Sequence, residues 1–319
     1  MKVRARATLL LALMTGAQAL AQAYPVKPIR IIVPFGVGGP NDLLARLVGQ
    51  KLTETWGQPT IVDNRPGGGT LIGTELAARA APDGHTLMIA AASHATNPSR
   101  TRKLPFDPLS DFAPVILLGF SPTVLIVHPS MPVKSVRDLI ALAKARPGEI
   151  PFGSGGNGTA IHLAFEVLCL RGGVKMIHVP FQGQGPAILS VMKGDIPWMF
   201  SGILPTLPHI KSGRLRAIAV SSAQRSAVLP DVPPVADTFP GFEAIPWYGL
   251  FVPGGTPKEV ISKLNQEIAN GLRAPEMRER LAREGVEVVA GSPEQFGAFF
   301  RAEIDKWAKV IKTAGITLD

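Results

Sequence analysis

Apolar residues fall into two rhythms along this chain. Short β-rich runs such as Ile29-Arg30-Ile31-Ile32-Val33 stop at Pro or Gly. Longer stretches repeat apolar residues every three to four positions, as at Leu43, Leu44, Leu47, Val48 and Leu52. The first rhythm predicts strands and the second amphipathic helices. Read forward, it predicts a strand at 29–33, a Gly-rich turn, and a helix that Asn41 caps and Gly57 ends. A strand at 60–62, a helix at 70–80 and a strand at 86–90 follow. This βαβαβ order favours a parallel sheet. The most apolar stretch, 112–127, carries Pro114 and Pro122 and is expected to be two short strands. The order then restarts. A strand is expected at 124–127, and Ser135 with Asp138 opens a helix to 145. A short strand enters a second Gly-rich turn at 153–158, and a helix runs from Thr159 to about residue 170. Strands are expected at 175–179, 196–200 and 215–220, with short helices between. Five prolines make 230–246 irregular. A strand at 248–252 precedes a helical end, with Val260, Leu264, Ile268 and Leu272 every four residues and a last helix starting at Ser292. Two α/β units in one chain suggest two lobes with a cleft between them.

Composition narrows the class. Of 319 residues, 46% are hydrophobic and 18% charged, which supports a packed core rather than disorder. The single Cys excludes an internal disulfide and a Cys-cluster metal site, and Cys169 is expected to be buried. Lys2, Arg4 and Arg6, an apolar run at 7–13 and Ala21-Gln22-Ala23 form a secretory signal pattern. The run is short and Gln18 stops a longer one, whereas a spanning helix needs about 20 apolar residues. Cleavage near Ala23 takes the net charge from +9 to 9 − 3 = +6. The remaining basic residues are scattered, only two Tyr are present, and no nucleic-acid-binding motif occurs, so no nucleic-acid partner is expected.

The chemistry concentrates in the turns 35–42 and 153–159. Each follows a strand and opens a helix, so each offers backbone N–H groups at the positive end of a helix dipole. Such a pair forms an anion site without a basic side chain. Gly38, Gly39, Gly155, Gly156 and Gly158 allow positive φ or close approach of a ligand. Asp42 fits either a ligand contact or stabilisation of its own helix turn. Ser154 and Thr159 fit either a carboxylate or an N-cap. His162 reads as a structural hydrogen-bonding group, and the Gly-rich entry at 64–69 reads as structural because no counterpart faces it. Asn157-Gly158-Thr159 reads as a turn rather than a glycosylation site. No P-loop, dinucleotide fingerprint, G-x-S-x-G elbow or H-E-x-x-H occurs. Ser190-Val191-Met192-Lys193 and Lys211-Ser212-Gly213 imitate a serine acyltransferase pair, but no S-D-N-like element lies between them. The expectation is a binding protein, not an enzyme, with no cofactor and no metal.

A series of blocks in order resembles the extracytoplasmic solute receptors of the tripartite tricarboxylate transporter family, the Bug or TctC-like receptors. They are Tyr24-Pro25, Gly38-Gly39 with Asp42, Asn64-Arg65-Pro66-Gly67, Ala81-Pro82-Asp83-Gly84, Asn97-Pro98, Gly153-Ser154 with Asn157-Gly158-Thr159 and His162-Leu163, His178-Val179-Pro180-Phe181, Leu215-Arg216-Ala217, Leu229-Pro230-Asp231-Val232-Pro233 and Trp247-Tyr248-Gly249-Leu250-Phe251. The resemblance implies an α/β, two-lobed periplasmic-binding-protein fold (Venus flytrap, type II-like). It implies lobes at 24–124 plus 248–319 and at 125–247. The implied ligand is a small organic carboxylate, held by Phe35, Gly38, Gly39, Asp42, Ala92, Ser93, Ser154, Gly155, Asn157, Gly158, Thr159, Phe181, Gln182 and Ser201. The implied partners are membrane transporter subunits, the location the periplasm and the state a monomer. A ligand-presenting sensor and an exported serine acyltransferase are the alternatives. Val37, Pro40, Gln182, Pro197, Ser201 and Pro234 depart from the family pattern. The Gln182 and Ser201 changes remove a base and an acid, which predicts a less charged distal pocket suited to a monocarboxylate or aromatic acid.

Overall fold

Among the described residues, eleven strands sort into two separate sheets. The computed structural model describes residues 24–318 apart from Arg102 and Glu284, so the expected signal sequence at 1–23 lies outside the described residues. The strands are β1 (Ile29–Val33), β2 (Thr60–Asn64), β3 (Thr86–Ala90), β4 (Phe112–Phe120), β5 (Thr123–Val127), β6 (Pro151–Ser154), β7 (Ile177–Pro180), β8 (Trp198–Gly202), β9 (Arg216–Val220), β10 (Trp247–Pro253) and β11 (Glu287–Val288). The helices are α1 (Pro40–Trp56), α2 (Leu71–Ala78), α3 (Ala92–Thr96), α4 (Val136–Ala145), α5 (Ala160–Gly172), α6 (Gln184–Lys193), α7 (Ile203–Lys211), α8 (Lys258–Arg273), α9 (Pro275–Arg283) and α10 (Pro293–Ala314). The first sheet runs β11-β4-β10-β3-β1-β2 and the second β7-β6-β8-β5-β9. In the first, β1 lies parallel to β2 and β3, while β10 lies antiparallel to β3 and β4. In the second, β6 lies parallel to β7 and β8, and β5 lies antiparallel to β8 and β9.

Each sheet is the centre of a lobe because helices cover both faces. Ile29, Ile31, Ile32 and Val33 are all fully buried, as a parallel strand with two covered faces requires. On one face of the first sheet Ile29, Ile31 and Val33 join Leu44 and Val48 of α1 and Leu264 and Ile268 of α8. On the other, Ile32 and Met88 join Trp247, Phe251 and the α10 residues Phe296, Phe300 and Trp307. Gly249 makes this second contact: a Cβ there would sit 2.1 Å from Phe296 Cζ. Glu303 ties α10 down further. Its Oε2 accepts from Trp247 Nε1 at 3.0 Å and from Trp307 Nε1 at 2.8 Å. The core of the second lobe gathers Phe152, Phe165, Trp198 and Phe200 with the aliphatic face of α4 and α5. Cys169 belongs to it, and burial pushes its thiol up to about 12.

Three details differ from the expectation drawn from local pattern. Pro114 does not break a strand. The nine-residue β4 continues through it, with a register shift against β10 beside Phe251, where an irregular ladder tolerates the missing N–H. Asn41 does not cap α1. Gly39 occupies the N-cap, Pro40 the first helical position and Asn41 the second, with no side-chain cap bond. The short β11 pairs antiparallel with β4 inside a region expected to be all helix. Elsewhere caps act locally as read. Ser135 accepts from Asp138 N–H, Ser292 and Gln295 form a reciprocal capping box, and Gly57 ends α1 at φ 68°.

The chain passes between sheets twice, after β4 and before β10, and the two passages touch. Ser121 N–H donates to Pro246 C=O at 3.0 Å. Ser221 N–H donates to Thr123 C=O at 2.8 Å, and Thr123 N–H donates to Ser221 Oγ at 2.9 Å. These bonds fix where one lobe ends against the other.

His94 on α3 is buried among Phe106, Phe112, Phe251 and Phe300, and neither ring nitrogen has a hydrogen-bond partner. Burial lowers its pKa to about 3. Above the ordinary value of 6.5 the ring is neutral folded or unfolded, so it adds no pH dependence there. Below it the unfolded chain takes up a proton that the buried ring refuses. Stability is therefore lost as pH falls toward about 3, by up to about 1.4 kcal/mol per pH unit for one such site. His94→Leu is expected to fold and to lose less of its melting temperature between about pH 6.5 and pH 4. Melting curves that fall in parallel with the wild type over that range would count against this account.

Candidate functional site

The turn after β1 is shaped by Asp42. Its Oδ2 accepts from Gly38 N–H at 3.1 Å, and both its oxygens take Arg46, at 3.1 and 2.9 Å. Burial pushes this carboxyl up, but the Arg46 side chain, the Gly38 N–H and Asn64 outweigh it and hold it below its usual range. Gly38 sits at φ 85°, which only Gly adopts without strain, while Gly39 is extended at φ −89°. At the start of α1 the Asn41 and Asp42 N–H groups have no acceptor within the helix, and Pro40 has no N–H to leave over.

The turn after β6 is held from behind and from across the cleft. Gly158 N–H donates to His162 Nδ1 at 3.1 Å, so that nitrogen is unprotonated and Nε2 faces Glu166 at 3.5 Å. His178 stacks on His162 at 3.7 Å between centroids and places Nε2 2.6 Å from Ser154 Oγ. Burial, then the His162 ring, lowers the His178 pKa to about 3, so it stays neutral. Across the cleft, Thr96 Oγ1 donates to Gly158 C=O at 3.0 Å and Arg100 Nη2 to Asn157 C=O at 3.3 Å. The carbonyls of this turn are thereby occupied. Thr159 caps α5 by accepting from His162 N–H, which leaves the Ala160 and Ile161 N–H groups at the helix entry.

Between the lobes lies a cavity of about 40 Å³, counted as space for the centres of water-sized atoms. Its walls come from Phe35, Gly36, Gly39, Pro40 and Asn41, from Ala91 and Ser93, from Gly155, Thr159, Ala160 and Ile161, from Gly183 and Gln184, and from Pro246 and Tyr248. The entries of α1, α5 and α6 therefore meet at one cavity. No Asp, Glu, Lys, Arg or His lines it. The Tyr248 phenol is raised above its ordinary value by burial and stays protonated. An outer chamber of about 290 Å³ shares Phe35, Gly36, Gly155, Thr159 and Gly183 with this cavity. It adds Gly67, Gly68, Gly69, Thr70, Asn157, Phe181 and Gln182.

Of the residues singled out in sequence, Phe35, Gly39, Ser93, Gly155 and Thr159 line the inner cavity, and Asn157, Phe181 and Gln182 line the outer chamber. Gly38, Asp42, Ala92, Ser154, Gly158 and Ser201 line neither. They stand behind the walls, where Asp42, Ser154 and Gly158 shape the two turns and Ser201 Oγ donates to Gln184 Oε1 at 3.2 Å. Sequence reading missed Gln184, Pro246 and Tyr248. It also took 64–69 as structural, whereas Gly67 to Gly69 face 155–157 across the outer chamber. The only local signal was Gly183, a glycine before a helix at φ 113° like those in the other turns. Of the residues that imitate a serine acyltransferase pair, Ser190 is buried in α6 without a bond to Lys193, and Ser212 ends α7 with its Oγ on His209 C=O. Among the described residues no group of three or more His, Cys, Asp or Glu gathers as metal ligands, and no helix is long and apolar enough to cross a membrane.

The sequence profile of the "Tripartite tricarboxylate transporter family receptor" group, TctC, matches residues 44–316. The chain belongs to this family. It is 37% identical to the protein BugT of Bordetella pertussis over 301 residues, 93% of this chain and 92% of BugT. The fold matches the periplasmic binding protein BugD at TM-score 0.88 and 32% identity, covering 92% of this chain and 99% of BugD. It matches Rpa4515 of R. palustris with adipate at TM-score 0.89 and 34% identity, covering 92% and 99%. Against a ligand-free TctC solute-binding protein from Polaromonas, 30% identical over 91% of this chain and 99% of that one, the score is 0.66. In this chain the two lobes touch across the cleft, through Thr96 on Gly158 and Arg100 on Asn157.

Closure brings backbone against backbone. A Cβ on Gly36 would lie 2.5 Å from Gln182 O across the cleft, and one on Gly183 would lie 3.3 Å from Gly36 Cα. Gly36 has no positive φ, so alanine fits its backbone. Gly36→Ala is expected to melt within about 2 °C of the wild type without ligand, because opening relieves the clash. It is expected to lose the compaction in small-angle X-ray scattering that an organic-acid mixture induces in the wild type. Equal compaction in both proteins would show that this contact does not limit closure.

Proposed function

We propose that this receptor captures one small organic carboxylate in the inner cavity and presents it to the membrane subunits of a tripartite tricarboxylate-type transporter. The observation that carries the reading is the meeting of three helix entries from two lobes at a cavity without a cation or an acid in its lining. A carboxylate can be buried there because free N–H groups and helix dipoles supply its hydrogen bonds and its opposing charge. α1 belongs to one lobe and α5 and α6 to the other, so an anion held by all of them favours the closed form by its differential affinity. The adipate-bound relative Rpa4515 supports a carboxylate ligand. We take the lobes at the expected bounds, 24–124 plus 248–319 and 125–247, shifted only so that β5 from Thr123 stays with the second sheet and β10 from Trp247 with the first, moving about the passages joined by Ser121 and Pro246. The protein acts as a monomer in the periplasm after cleavage near Ala23. The ligand-binding role assigned to Phe35, Gly38, Gly39, Asp42, Ala92, Ser93, Ser154, Gly155, Asn157, Gly158, Thr159, Phe181, Gln182 and Ser201 divides into wall residues and residues that shape the walls. The chambers carry no ionisable side chain except Tyr248, which fits a ligand with a single carboxylate better than a tricarboxylate.

Protein unfolded and refolded to strip bound ligand is to be heated against a panel of organic acids and their amides. At about 1,000 times Kd a ligand adds roughly 4 kcal/mol, which for a chain this size raises the melting temperature by about 5–8 °C. The expected result is a shift with one class of acid that its amides do not give. Absence of any acid-specific shift from a cooperatively melting sample would refute carboxylate capture.

A further inference from the structure

Away from the chain passages, the lobes meet through two contacts of different chemistry. At the first, main chain meets main chain: Gly36 stands against the Gln182 carbonyl and Gly183. The second surrounds the C-terminal end of α10, which touches α5. Leu163 of α5 is fully buried, yet it belongs to the first lobe's cluster, with Ala95, Ile311 and Leu318. Its helix neighbours Phe165, Leu168 and Cys169 belong to the core of the second lobe. Leu318 is fully buried too, and a Cβ on Gly158 would lie 3.6 Å from its Cδ1. Its C=O accepts from Thr101 N–H at 3.4 Å, which holds the tail on the first lobe. Two hydrogen bonds join the lobes beside it, from Thr96 Oγ1 to Gly158 C=O and from Arg100 Nη2 to Asn157 C=O. Arg100 Nη2 also donates to Gly69 C=O at 2.9 Å and Arg100 Nε to Asn97 Oδ1 at 3.1 Å, so this cation is anchored on the first lobe.

The two contacts differ in what it costs to separate them. Parting Leu163 from the first lobe would expose apolar side chains to water, with a penalty that grows with their area, and would break both hydrogen bonds. Parting Gly36 from Gly183 bares almost no side chain, and water takes up the peptide groups it frees. Packed side chains can instead slide by small amounts while staying buried. Opening therefore follows the less costly route, in which the glycine contact parts and the leucine contact turns in place. Helix α10 suits a pivot because Glu303 ties it to Trp247, the first residue of β10 and the neighbour of the passage at Pro246.

We propose that Leu318, seated with Leu163, is a second pivot of the lobes beside the chain passages, so that the cleft opens between Gly36 and Gly183 while the α5 entry keeps its place against the first lobe. Ala160 begins α5 one turn before Leu163, so its entry moves little and the α6 entry travels. An anion then meets the α1 and α5 entries together at first encounter, and α6 reaches it on closure. The inference rests on the lobe movement of the proposed function and not on the identity of the ligand.

The test needs no ligand, because Gly36→Ala forces the glycine contact apart by itself. It uses the full mature chain with Cys169→Ala, so that introduced cysteines are the only thiols. Spin labels at Val37→Cys and Leu189→Cys, both exposed, report the glycine contact, since Gly185, one turn before Leu189, faces the Val37 carbonyl. Labels at Leu170→Cys and Lys312→Cys, exposed on α5 and α10, report the leucine contact. Distances are read by double electron–electron resonance. On adding Gly36→Ala the first pair is expected to lengthen by several ångström and the second to change by less than half as much. Adding Leu318→Ala to Gly36→Ala is expected to lengthen and broaden the second pair. Thr96→Val keeps the shape of the side chain and removes its bond to Gly158, and it is expected to act the same way more weakly, which covers a leucine variant that folds badly. An equal or larger change in the second pair with Gly36→Ala alone would overturn the pivot. No change in the first pair would overturn the glycine contact as the place of opening. A second pair unmoved by both Leu318→Ala and Thr96→Val would overturn the role of α10. Each of these outcomes leaves carboxylate capture standing, and failure of carboxylate capture in the organic-acid panel leaves these distances unaffected.

Discussion

A carboxylate taken out of water must meet a hydrogen-bond donor at nearly every lone pair, or its burial costs several kcal/mol. Proteins usually meet this demand with Arg or Lys. The inner cavity of this receptor has neither, and the rest of its architecture follows from the substitute. A helix start leaves several backbone N–H groups free together, and a single helix begins at a single point. Several donors around one small anion therefore require several helices to start at one place. Parallel strands achieve this, because each delivers its following helix at the same edge of the sheet. β1 leads to α1 and β6 to α5, and the turn after β7 leads to α6. Two sheets facing each other double the number of entries available.

That arrangement sets a steric condition. Peptide groups from opposite lobes must approach until no side chain fits between them. Gly36 against Gln182 and Gly183, and Gly202 beneath Pro40, are the points where this happens. Each lobe is held by other contacts: Glu303 fixes the two tryptophans, and α8 covers β1. The cavity wall is thin and made mostly of main chain, and its shape is set by groups one step behind it. Asp42 shapes one turn through Gly38. His162, His178 and Ser154 shape the other. A loss at either support moves donors rather than removing them.

How much of this was legible depended on range. The turns at 35–42 and 153–159 were readable because a glycine after a β-rich run and before an apolar period is a local signature. The α/β order was readable for the same reason. Pro114 was misread because tolerance of proline within a strand depends on the partner strand, and the irregular register of β10 cannot be seen from β4 alone. Asn41 looked like a cap, yet Pro40 ahead of it moves the cap back to Gly39, where a residue without a side chain does the task. Tyr248 and Pro246 reach the cavity only because β10 returns to the first sheet about 130 residues after β4 and lies between β3 and β4, a pairing no periodicity encodes. The loop at 67–70 had no visible counterpart because its counterpart, 155–157, belongs to the other lobe.

The wall is unequal in a way that separates two tasks. The second lobe contributes Gly155, Thr159, Ala160, Ile161 and Gly183, which are main chain, capping groups and apolar side chains. Such groups recognise an anion and ignore what it is attached to. The first lobe contributes Ser93 and Tyr248, whose hydroxyls are directional donors and acceptors. A ligand that satisfies only main-chain donors leaves those two groups dry and unpaired once the lobes meet, and the closed form bears that cost. A ligand that satisfies them removes it. Discrimination then enters through the closing equilibrium rather than the first encounter, because the groups cost nothing while water reaches them in an open cleft. On the proposed reading, a receptor built this way tells acids apart by how far each one lets it close.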